Sequence, residues 1–460
     1  MRDEETKGTA PGTETRPEAR RTLKPAEAAA IVVGGGPAGL FAALRLAEGL
    51  REAGTPGEVL LLERRERPAR KLLLAGSGQC NLSHAGPVED FLPRYGGGAK
   101  PGAAGRFLKP ALHAFTNEEL LDWFRDRGLE FETEAGGKVF PATRRASSVL
   151  DILLAECARL GVRLAAGFRV RSAERVADGF LLRAARAETA GPGDEEGFSA
   201  PLLLIATGGA SYPKTGSSGD GYAFAAALGH RVVPPRPALT SVLIRGFTTT
   251  GLAGLAGLSF RNAELVLRRA GEKPILRSGD LLVTHEGFSG PLILDASRDM
   301  RPGDHLELGF SGCPIEEFRV RFDAELKAAP RALVRTSLAA AGLPKSLAER
   351  LVELAGLAAE SGSAELRRES REALCRLACA FPAEIRSLGG FDEAMATAGG
   401  VDLAEVNPKT MESRVAPGLF FAGEVLDVDG DSGGYNLQAA FSTGALAARG
   451  MLEKALAARS

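Results

Sequence analysis

Residues 29–39 of the 460-residue chain read AAIVVGGGPAG, and this stretch decides the fold. Its apolar first half is rich in β-branched residues, which predicts a buried strand over residues 29–33. Its second half matches Gly-x-Gly-x-x-Gly, the pattern typical of the turn between the first strand and first helix of a dinucleotide-binding domain. A helix over residues 39–50 and a second buried strand over residues 58–63 complete a predicted βαβ unit.

Each glycine of this motif has a predicted role. Gly34 makes the tight turn, Gly36 lets the backbone approach a pyrophosphate, and Gly39 lets the helix pack close to the strand. The start of the helix, at Pro37 and Ala38, then presents free N–H groups and a positive dipole end to the phosphates.

Glu63 ends the second predicted strand, 24 residues after Gly39. An acid at this position normally binds the ribose hydroxyls, and it favours a free 2′-OH over a 2′-phosphate. A glycine motif alone can be a chance turn in an α/β protein. Together with both strands and the acid, it predicts dinucleotide binding.

Three later glycine turns favour FAD over NAD as the dinucleotide. Residues 205–209 (IATGG) run from a buried strand into a turn seen in two-dinucleotide flavoproteins. Residues 418–424 (GLFFAGE) are similar to the late strand whose acidic end approaches the ribityl chain, and residues 433–436 (GGYN) open a helix that would face the flavin pyrimidine. The candidate FAD contacts in these turns are Ala206, Thr207, Gly208, Gly423, Glu424, Gly433, Gly434 and Asn436.

From residue 29 to residue 448 the chain resembles bacterial NAD(P)/FAD-dependent oxidoreductases of the aminoacetone-oxidase-like and bile-acid-reductase-like kind. The further segments that carry this resemblance are 70–73 (RKLL), 76–82 (GSGQCNL), 138–141 (KVFP), 211–216 (SYPKTG), 219–222 (GDGY), 284–291 (THEGFSGP), 398–401 (AGGV), 405–413 (EVNPKTMES) and 423–438. The resemblance adds Lys71, Gly78, Cys80 and Asn81 to the expected FAD contacts.

The resemblance implies an α/β fold with a Rossmann-like FAD-binding domain of the two-dinucleotide flavoprotein type. A β-barrel-like domain interrupts the FAD domain, and a small helical domain interrupts the barrel. Strand-like pieces between residues 240 and 308 and leucines at helical spacing after residue 343 agree with this order. The predicted parts are a disordered tail (1–27), the FAD domain (28–233 and 396–460), the barrel insert (234–313 and 380–395) and the helical insert (314–379).

Three positions depart from the family pattern. Gln79 replaces a common Arg and Ser77 a common Gly, so an anion contact by this loop is in doubt. Asp431 replaces a common aromatic residue near the flavin end. Substrate preference is therefore expected to differ from that of better-known relatives.

His285, Tyr212 and Tyr435 are the candidate catalytic residues, although a lone histidine is more often structural. Cys80 has no second cysteine close enough for a dithiol site. There is no second Gly-x-Gly-x-x-Gly motif, so any NAD(P)H would dock transiently as a co-substrate.

Composition limits the remaining possibilities. With 57 Lys and Arg against 58 Asp and Glu, the net charge is −1, which gives no electrostatic reason to expect nucleic acid or an anionic membrane as partner. Five scattered cysteines predict neither a disulfide framework nor a metal site. The acidic, Pro-containing start is unlike a signal peptide, and we expect a cytoplasmic protein.

These observations predict an FAD-dependent oxidoreductase in which flavin N5 exchanges hydride with a small organic substrate. Two alternatives stay open: a flavin-bound module that interacts with RNA or protein, and an oxidase that passes electrons to O₂.

Overall fold

The computed structural model describes residues 26–55, 57–187 and 194–458. The helices in these residues are α1 (Pro37–Glu52), α2 (Val88–Phe91), α3 (Ala103–Ala114), α4 (Asn117–Arg125), α5 (Ala146–Arg159), α6 (Asp220–Ala227), α7 (Pro291–Ala296), α8 (Ile315–Ala328), α9 (Val334–Ala340), α10 (Lys345–Leu354), α11 (Arg368–Cys379) and α12 (Tyr435–Ala457). The strands are β1 (Ala26–Glu27), β2 (Ala30–Val33), β3 (Val59–Glu63), β4 (Ser83–His84), β5 (Tyr95–Gly96), β6 (Phe131–Thr133), β7 (Lys138–Pro141), β8 (Arg163–Ala166), β9 (Phe168–Val176), β10 (Gly179–Arg186), β11 (Glu196–Ala200), β12 (Leu202–Ile205), β13 (Val232–Ala238), β14 (Val242–Ile244), β15 (Ser259–Arg268), β16 (Ile275–Val283), β17 (Gly287–Ser289), β18 (His305–Gly309), β19 (Phe381–Leu388), β20 (Ala396–Val401), β21 (Leu419–Phe421) and β22 (Asp429–Gly430).

A five-stranded parallel sheet forms the centre of the first domain, in the order β21-β12-β2-β3-β8. All four residues of β2 are buried, which explains why this strand reads as a continuous apolar run rather than an alternating one. The predicted βαβ unit is present as β2-α1-β3. The sheet joins strands from both ends of the sequence, because β21 pairs with β12.

Helices α1 and α12 pack against each other beside this sheet. Their approach depends on glycine, since a Cβ on Gly444 would lie 2.6 Å from the carbonyl oxygen of Ala38. Gly39 has the same function at the start of α1, where a Cβ would lie 1.9 Å from the carbonyl oxygen of Gly34. Both helices begin close to the carboxyl edge of the sheet, which is where ligands of open α/β sheets bind.

The second unit is a closed antiparallel barrel of six strands in the order β14-β17-β16-β15-β18-β19. Helices α8 to α11 come between β18 and β19 in the sequence, and their buried residues share one apolar core with the barrel. The predicted fold class, a Rossmann-like domain with barrel-like and helical inserts, is confirmed. The chain enters and leaves the barrel through β13 and β20, which pair side by side as an antiparallel ribbon.

The N-terminal boundary differs from the prediction. Ala26 and Glu27, assigned to a disordered tail, form β1 and pair in parallel with β11. The pairing is made by backbone hydrogen bonds, so the amino-acid composition of the segment gives no sign of it. Residues 1–25 of the predicted tail lie outside the described residues. Among the described helices, none has an apolar stretch long enough to cross a lipid bilayer.

Candidate functional site

A cavity of about 550 Å³ lies at the carboxyl edge of the parallel sheet. Most of the residues predicted to bind the cofactor line it, although they come from segments hundreds of residues apart. These lining residues are Gly34, Gly36, Pro37, Ala38, Glu63, Lys71, Asn81, Ala206, Thr207, Gly208, Gly423, Glu424, Gly433, Gly434 and Asn436. Tyr212, a candidate catalytic residue, also lines it.

The glycine loop between β2 and α1 has the geometry expected for a dinucleotide. Gly34 has a φ of +111°, and a Cβ there would lie 2.4 Å from the carbonyl oxygen of Ala206. Gly36 is different, because a Cβ added there would have no described atom within 4 Å. This position borders the cavity, so the absent side chain leaves room for a phosphate to approach the backbone.

Glu63 ends β3 at the wall of the cavity. Its Oε2 accepts a hydrogen bond from the Gly35 N–H at 2.7 Å, and its Oε1 accepts one from the Arg65 N–H at 2.8 Å. Burial raises the pKa of this carboxyl, while the two backbone hydrogen bonds lower it. The carboxylate thus fixes the glycine loop and presents an acceptor where an adenosine ribose would lie.

Glu63→Gln is expected to weaken FAD binding about tenfold, which is ~1.4 kcal/mol. The amide nitrogen cannot accept a hydrogen bond, so either Gly35 or Arg65 loses its acceptor. The dissociation constant can be measured by flavin fluorescence on adding FAD to apoprotein. Glu52→Gln, on the exposed end of α1, is the matched control and should bind FAD as the wild type does. Equal affinity for both variants would contradict the role of Glu63.

Two helices begin at the cavity with no side-chain cap among the described residues. α1 follows Gly36 and has Pro37 at its first position, and α12 follows Gly434. Uncapped N–H groups and the helix dipole favour an anion at each of these ends. Gly434 has a φ of +99°, and a Cβ there would lie 2.3 Å from the carbonyl oxygen of Ser83. The absence of a side chain at Gly434 therefore lets the start of α12 pack directly against the backbone of Ser83.

Asn436 holds this glycine turn in place. Its side-chain nitrogen donates to the Gly430 carbonyl at 2.8 Å, and its oxygen accepts from the Gly430 N–H at 2.8 Å. The turn between β22 and α12 is thereby closed on itself. The two hydrogen bonds fix the backbone of the turn, and Gly433 and Gly434 within it line the cavity.

An ion pair joins two distant cofactor-site segments across the cavity wall. Lys71 Nζ lies 2.7 Å from Glu424 Oε2 and 2.5 Å from Ser211 Oγ. Glu424 Oε1 also accepts from the Thr397 N–H at 2.8 Å. Because the pair is only partly exposed and has further hydrogen bonds, it fixes Lys71 and Glu424 relative to each other.

Three predicted cofactor contacts lie outside the cavity wall. Gly39 packs α1 against β2, as its predicted role requires. Gly78 lies in the loop after β3 but not at the cavity, which its neighbours Gly76 and Ser77 line instead. Cys80 is fully buried, and burial raises the pKa of its thiol to about 12. Gly78 and Cys80 therefore lie behind the residues that line the cavity, where the buried Cys80 packs as a small apolar side chain.

Two of the candidate catalytic residues are also displaced from the cavity. His285 is exposed on the turn between β16 and β17 and does not line it. Tyr435 is buried, with its ring stacked on His84 at 5.0 Å between centroids, so it packs beneath the glycine turn. Both assignments are corrected: sequence proximity to a glycine turn placed the residues near the site but did not give the direction of their side chains.

Tyr212 keeps its place as a candidate. It lines the cavity with a φ of +52°, a left-handed conformation that costs a bulky residue roughly 1–2 kcal/mol. Its N–H donates to the Phe391 carbonyl at 2.8 Å, and its carbonyl accepts from the Thr215 N–H at 2.8 Å. These bonds hold the strained turn that places the residue at the cavity.

Sequence reasoning missed the wall that the insert and its connecting ribbon contribute. This wall is mainly apolar and comprises Leu239, Pro291, Leu294, Met395 and Ala396. Met395 is unusually exposed for a large apolar side chain, at 48%. Asp431 also lines the cavity, and its departure from the family pattern was the one signal available in the sequence. The others lie at strand and helix ends whose tertiary neighbours the sequence does not indicate.

Comparison with known proteins identifies the family of the chain. The family model described as HI0933-like protein Rossmann domain matches residues 28–450. A 3-dehydro-bile acid delta(4,6)-reductase from Clostridium scindens is 32% identical over 431 residues, which are 92% of this chain and 98% of that protein. A ribosomal RNA dihydrouridine synthase from Escherichia coli is 32% identical over 417 residues, which are 90% of this chain and 95% of that protein.

A solved structure is similar at a lower level. It is a 3-ketosteroid-delta4-(5alpha)-dehydrogenase from Rhodococcus jostii RHA1, which aligns over 96% of this chain and 99% of that chain with 16% identity and a TM-score of 0.49. The family match and the two full-length relatives confirm the predicted resemblance and the predicted class, an oxidoreductase-type flavoprotein enzyme.

Proposed function

Because the chain belongs to the family of HI0933-like proteins with a Rossmann domain, we propose that it is an FAD-dependent reductase of a carbon–carbon double bond in a small organic substrate, with NAD(P)H as electron donor. One observation carries the proposal. A single cavity joins the dinucleotide-binding loop at Gly34–Gly36 to the apolar wall of the insert. Cofactor and substrate would therefore meet in one continuous cavity.

The residues present fit FAD. The open position at Gly36 and the start of α1 would take the pyrophosphate, and Glu63 the adenosine ribose. The Lys71–Glu424 pair would border the ribityl chain, and the glycine turn at the start of α12 would border the flavin pyrimidine. Bound FAD would supply a two-electron carrier that accepts a hydride from the donor and passes one to the substrate.

The protein would contribute binding, orientation and exclusion of water. Leu239, Leu294 and Met395 offer apolar contacts to a substrate at the open side of the cavity. Tyr212 offers a hydroxyl that can donate a hydrogen bond to a substrate carbonyl oxygen. Polarising that carbonyl would make a conjugated double bond a better hydride acceptor.

Two relatives support this reaction class. A delta(4,6)-reductase and a dihydrouridine synthase both saturate a carbon–carbon double bond. The two differ in substrate, because one name specifies a bile acid and the other ribosomal RNA. We favour a small molecule, since the balanced charge of this chain provides no excess of cations for a polyanion. NAD(P)H would dock transiently, because the sequence holds one dinucleotide motif.

Anaerobic flavin spectroscopy on the purified protein tests the proposal. The released cofactor is identified by chromatography, and the bound flavin is then titrated with NADH or NADPH. The reduced protein is mixed with 4-androstene-3,17-dione, with 2-cyclohexenone or with a uridine-containing oligoribonucleotide. Reduction by a pyridine nucleotide followed by reoxidation with either enone is the expected result.

The other outcomes separate the alternatives. Reoxidation by the oligoribonucleotide alone would favour an RNA-modifying enzyme. Reoxidation by O₂ with stoichiometric peroxide, and by no alkene, would favour an oxidase. A protein that stays colourless after incubation with FAD would overturn both the cofactor and the enzyme assignment.

A further inference from the structure

Asp431 is a buried carboxyl in the wall of the cavity. The side chain belongs to the turn that leads into α12, and Ser432 and Gly433, which follow it, line the same cavity. Its residue exposure is 5%, and its N–H donates to the Arg94 carbonyl at 2.9 Å, which fixes the backbone of the turn. A carboxyl held there would border both the substrate and the flavin end of the cavity.

A single buried guanidinium serves two acids at this point. Arg298 Nη2 donates to Asp431 Oδ1 at 2.5 Å, and Arg298 Nε lies 3.0 Å from Asp429 Oδ1. Asp429 is 1% exposed and does not line the cavity. Two carboxylates therefore share one buried positive charge, which favours retention of a proton by one of them.

The other charged groups around Asp431 only partly change the electrostatic preference for a bound proton. From α7, Asp295 accepts from the Ser432 N–H at 2.7 Å and adds negative charge. Arg94 Nη1 is 3.7 Å from Asp431 Oδ2 but is 55% exposed, and Arg277 of β16 is engaged with Asp299 at 3.0 Å. The phenols facing this turn are Tyr95 and Tyr435. Burial, opposed by Arg298, raises the pKa of Asp431 to about 6.

We propose, on the basis of the proposed function, that Asp431 is the acid that protonates the substrate carbon next to the one that receives hydride. The first carbon gains two electrons and one hydrogen from the reduced cofactor. The Asp431 O–H bond breaks, a C–H bond forms at the second carbon, and the π bond is lost. The carboxylate that remains is stabilised by Arg298 and regains its proton from solvent. The double bond has then gained one hydride and one proton, and the flavin is returned to its oxidised form.

The alternative is that Asp431 only pairs with Arg298. Asp429→Asn is the matched control, because Asp429 contacts the same guanidinium from the adjacent strand β22 without reaching the cavity. Asp431→Asn keeps the shape of the side chain but cannot supply an acidic proton. Both variants are compared with wild-type holoenzyme of equal FAD content.

The first measurement is anaerobic stopped-flow reoxidation of dithionite-reduced protein by 4-androstene-3,17-dione. At pH 5, where Asp431 keeps its proton in the largest fraction of each protein, we expect Asp431→Asn to slow reoxidation at least 100-fold and Asp429→Asn to change it less than fivefold. In the wild type the rate should fall as pH rises above about 6, because the acid form is lost. In Asp431→Asn this pH dependence should disappear.

The second measurement needs no turnover. The visible spectrum of oxidised, flavin-loaded protein is titrated between pH 4.5 and 8. A spectral change centred near pH 6 is expected in the wild type, a change at lower pH in Asp429→Asn, where Asp431 no longer shares Arg298 with a second carboxylate, and none in Asp431→Asn. Asp431→Asn that reoxidises like the wild type, or a wild-type spectrum without this transition, would overturn the acid assignment. If no alkene reoxidises the wild-type flavin, the proposed function fails and the acid role of Asp431 fails with it. A spectral transition that is present in the wild type and lost in Asp431→Asn would even then place a titrating carboxyl at the flavin.

Discussion

Gly36→Val is expected to give a folded but colourless protein. The added Cβ meets no described atom within 4 Å, so the apoprotein has no internal clash to relieve. The isopropyl group would instead occupy the part of the cavity where the pyrophosphate approaches the backbone. We expect the dissociation constant for FAD to rise at least 100-fold, which is ~2.7 kcal/mol. The ratio of visible to ultraviolet absorbance after purification, followed by FAD titration, measures it.

Gly362→Val is the matched control for this prediction. Gly362 also has an open Cβ position and an extended backbone, with a φ of −81° against −79° for Gly36, but it lies in the helical insert away from the cavity. It should retain stoichiometric FAD. Substitutions at Gly34 or Gly39 are poorer tests, because their Cβ atoms would collide with backbone and disturb the fold. Stoichiometric FAD in folded Gly36→Val would show that this loop does not hold the cofactor.

The geometry of the glycine loop and of its acid was predictable because local rules act there. A tight turn, a close helix approach and a strand-end acid each require a particular residue at a particular spacing, so Gly34, Gly39 and Glu63 could be assigned from sequence. The late turns at Gly423 and Gly434 were predictable for the same reason, since both have a positive φ that favours glycine.

The substrate half was less predictable because it depends on side-chain direction and distant neighbours. His285 and Tyr435 stand next to glycine turns in the sequence, yet one side chain faces solvent and the other packs on His84. Met395 and Leu294 meet at the cavity only because the barrel closes and the β13–β20 ribbon returns the chain to the first domain. No local pattern specifies those contacts. Asp431 was visible only as a departure from a family pattern, and its partner Arg298 lies 133 residues away.

Arg298→Met is expected to destabilise the protein by about 3–5 kcal/mol at pH 8. It removes the buried partner of Asp429 and Asp431 and leaves two carboxylates in a poorly solvated site. Because Arg298 follows α7 of the insert, while Asp429 lies in β22 and Asp431 in the turn before α12, the loss weakens the contact between the two domains. Calorimetry should show the midpoint of the affected transition falling by roughly 6 °C or more for a cooperative unit of this size.

The pH dependence distinguishes lost charge pairing from lost packing. Without Arg298, the folded-state pKa values of both acids rise further above the unfolded value of ~3.9, and a group with a raised folded pKa stabilises the fold only as pH falls through that pKa. The deficit relative to wild type should therefore be largest at pH 8 and shrink towards pH 5. Arg298→Met combined with Asp429→Asn and Asp431→Asn should recover part of the stability and lose this pH dependence, since neutral amides cost less to bury than unpaired carboxylates. An equal deficit at pH 5 and pH 8 would mean that Arg298 acts through packing alone, and that the two acids are not held by its charge.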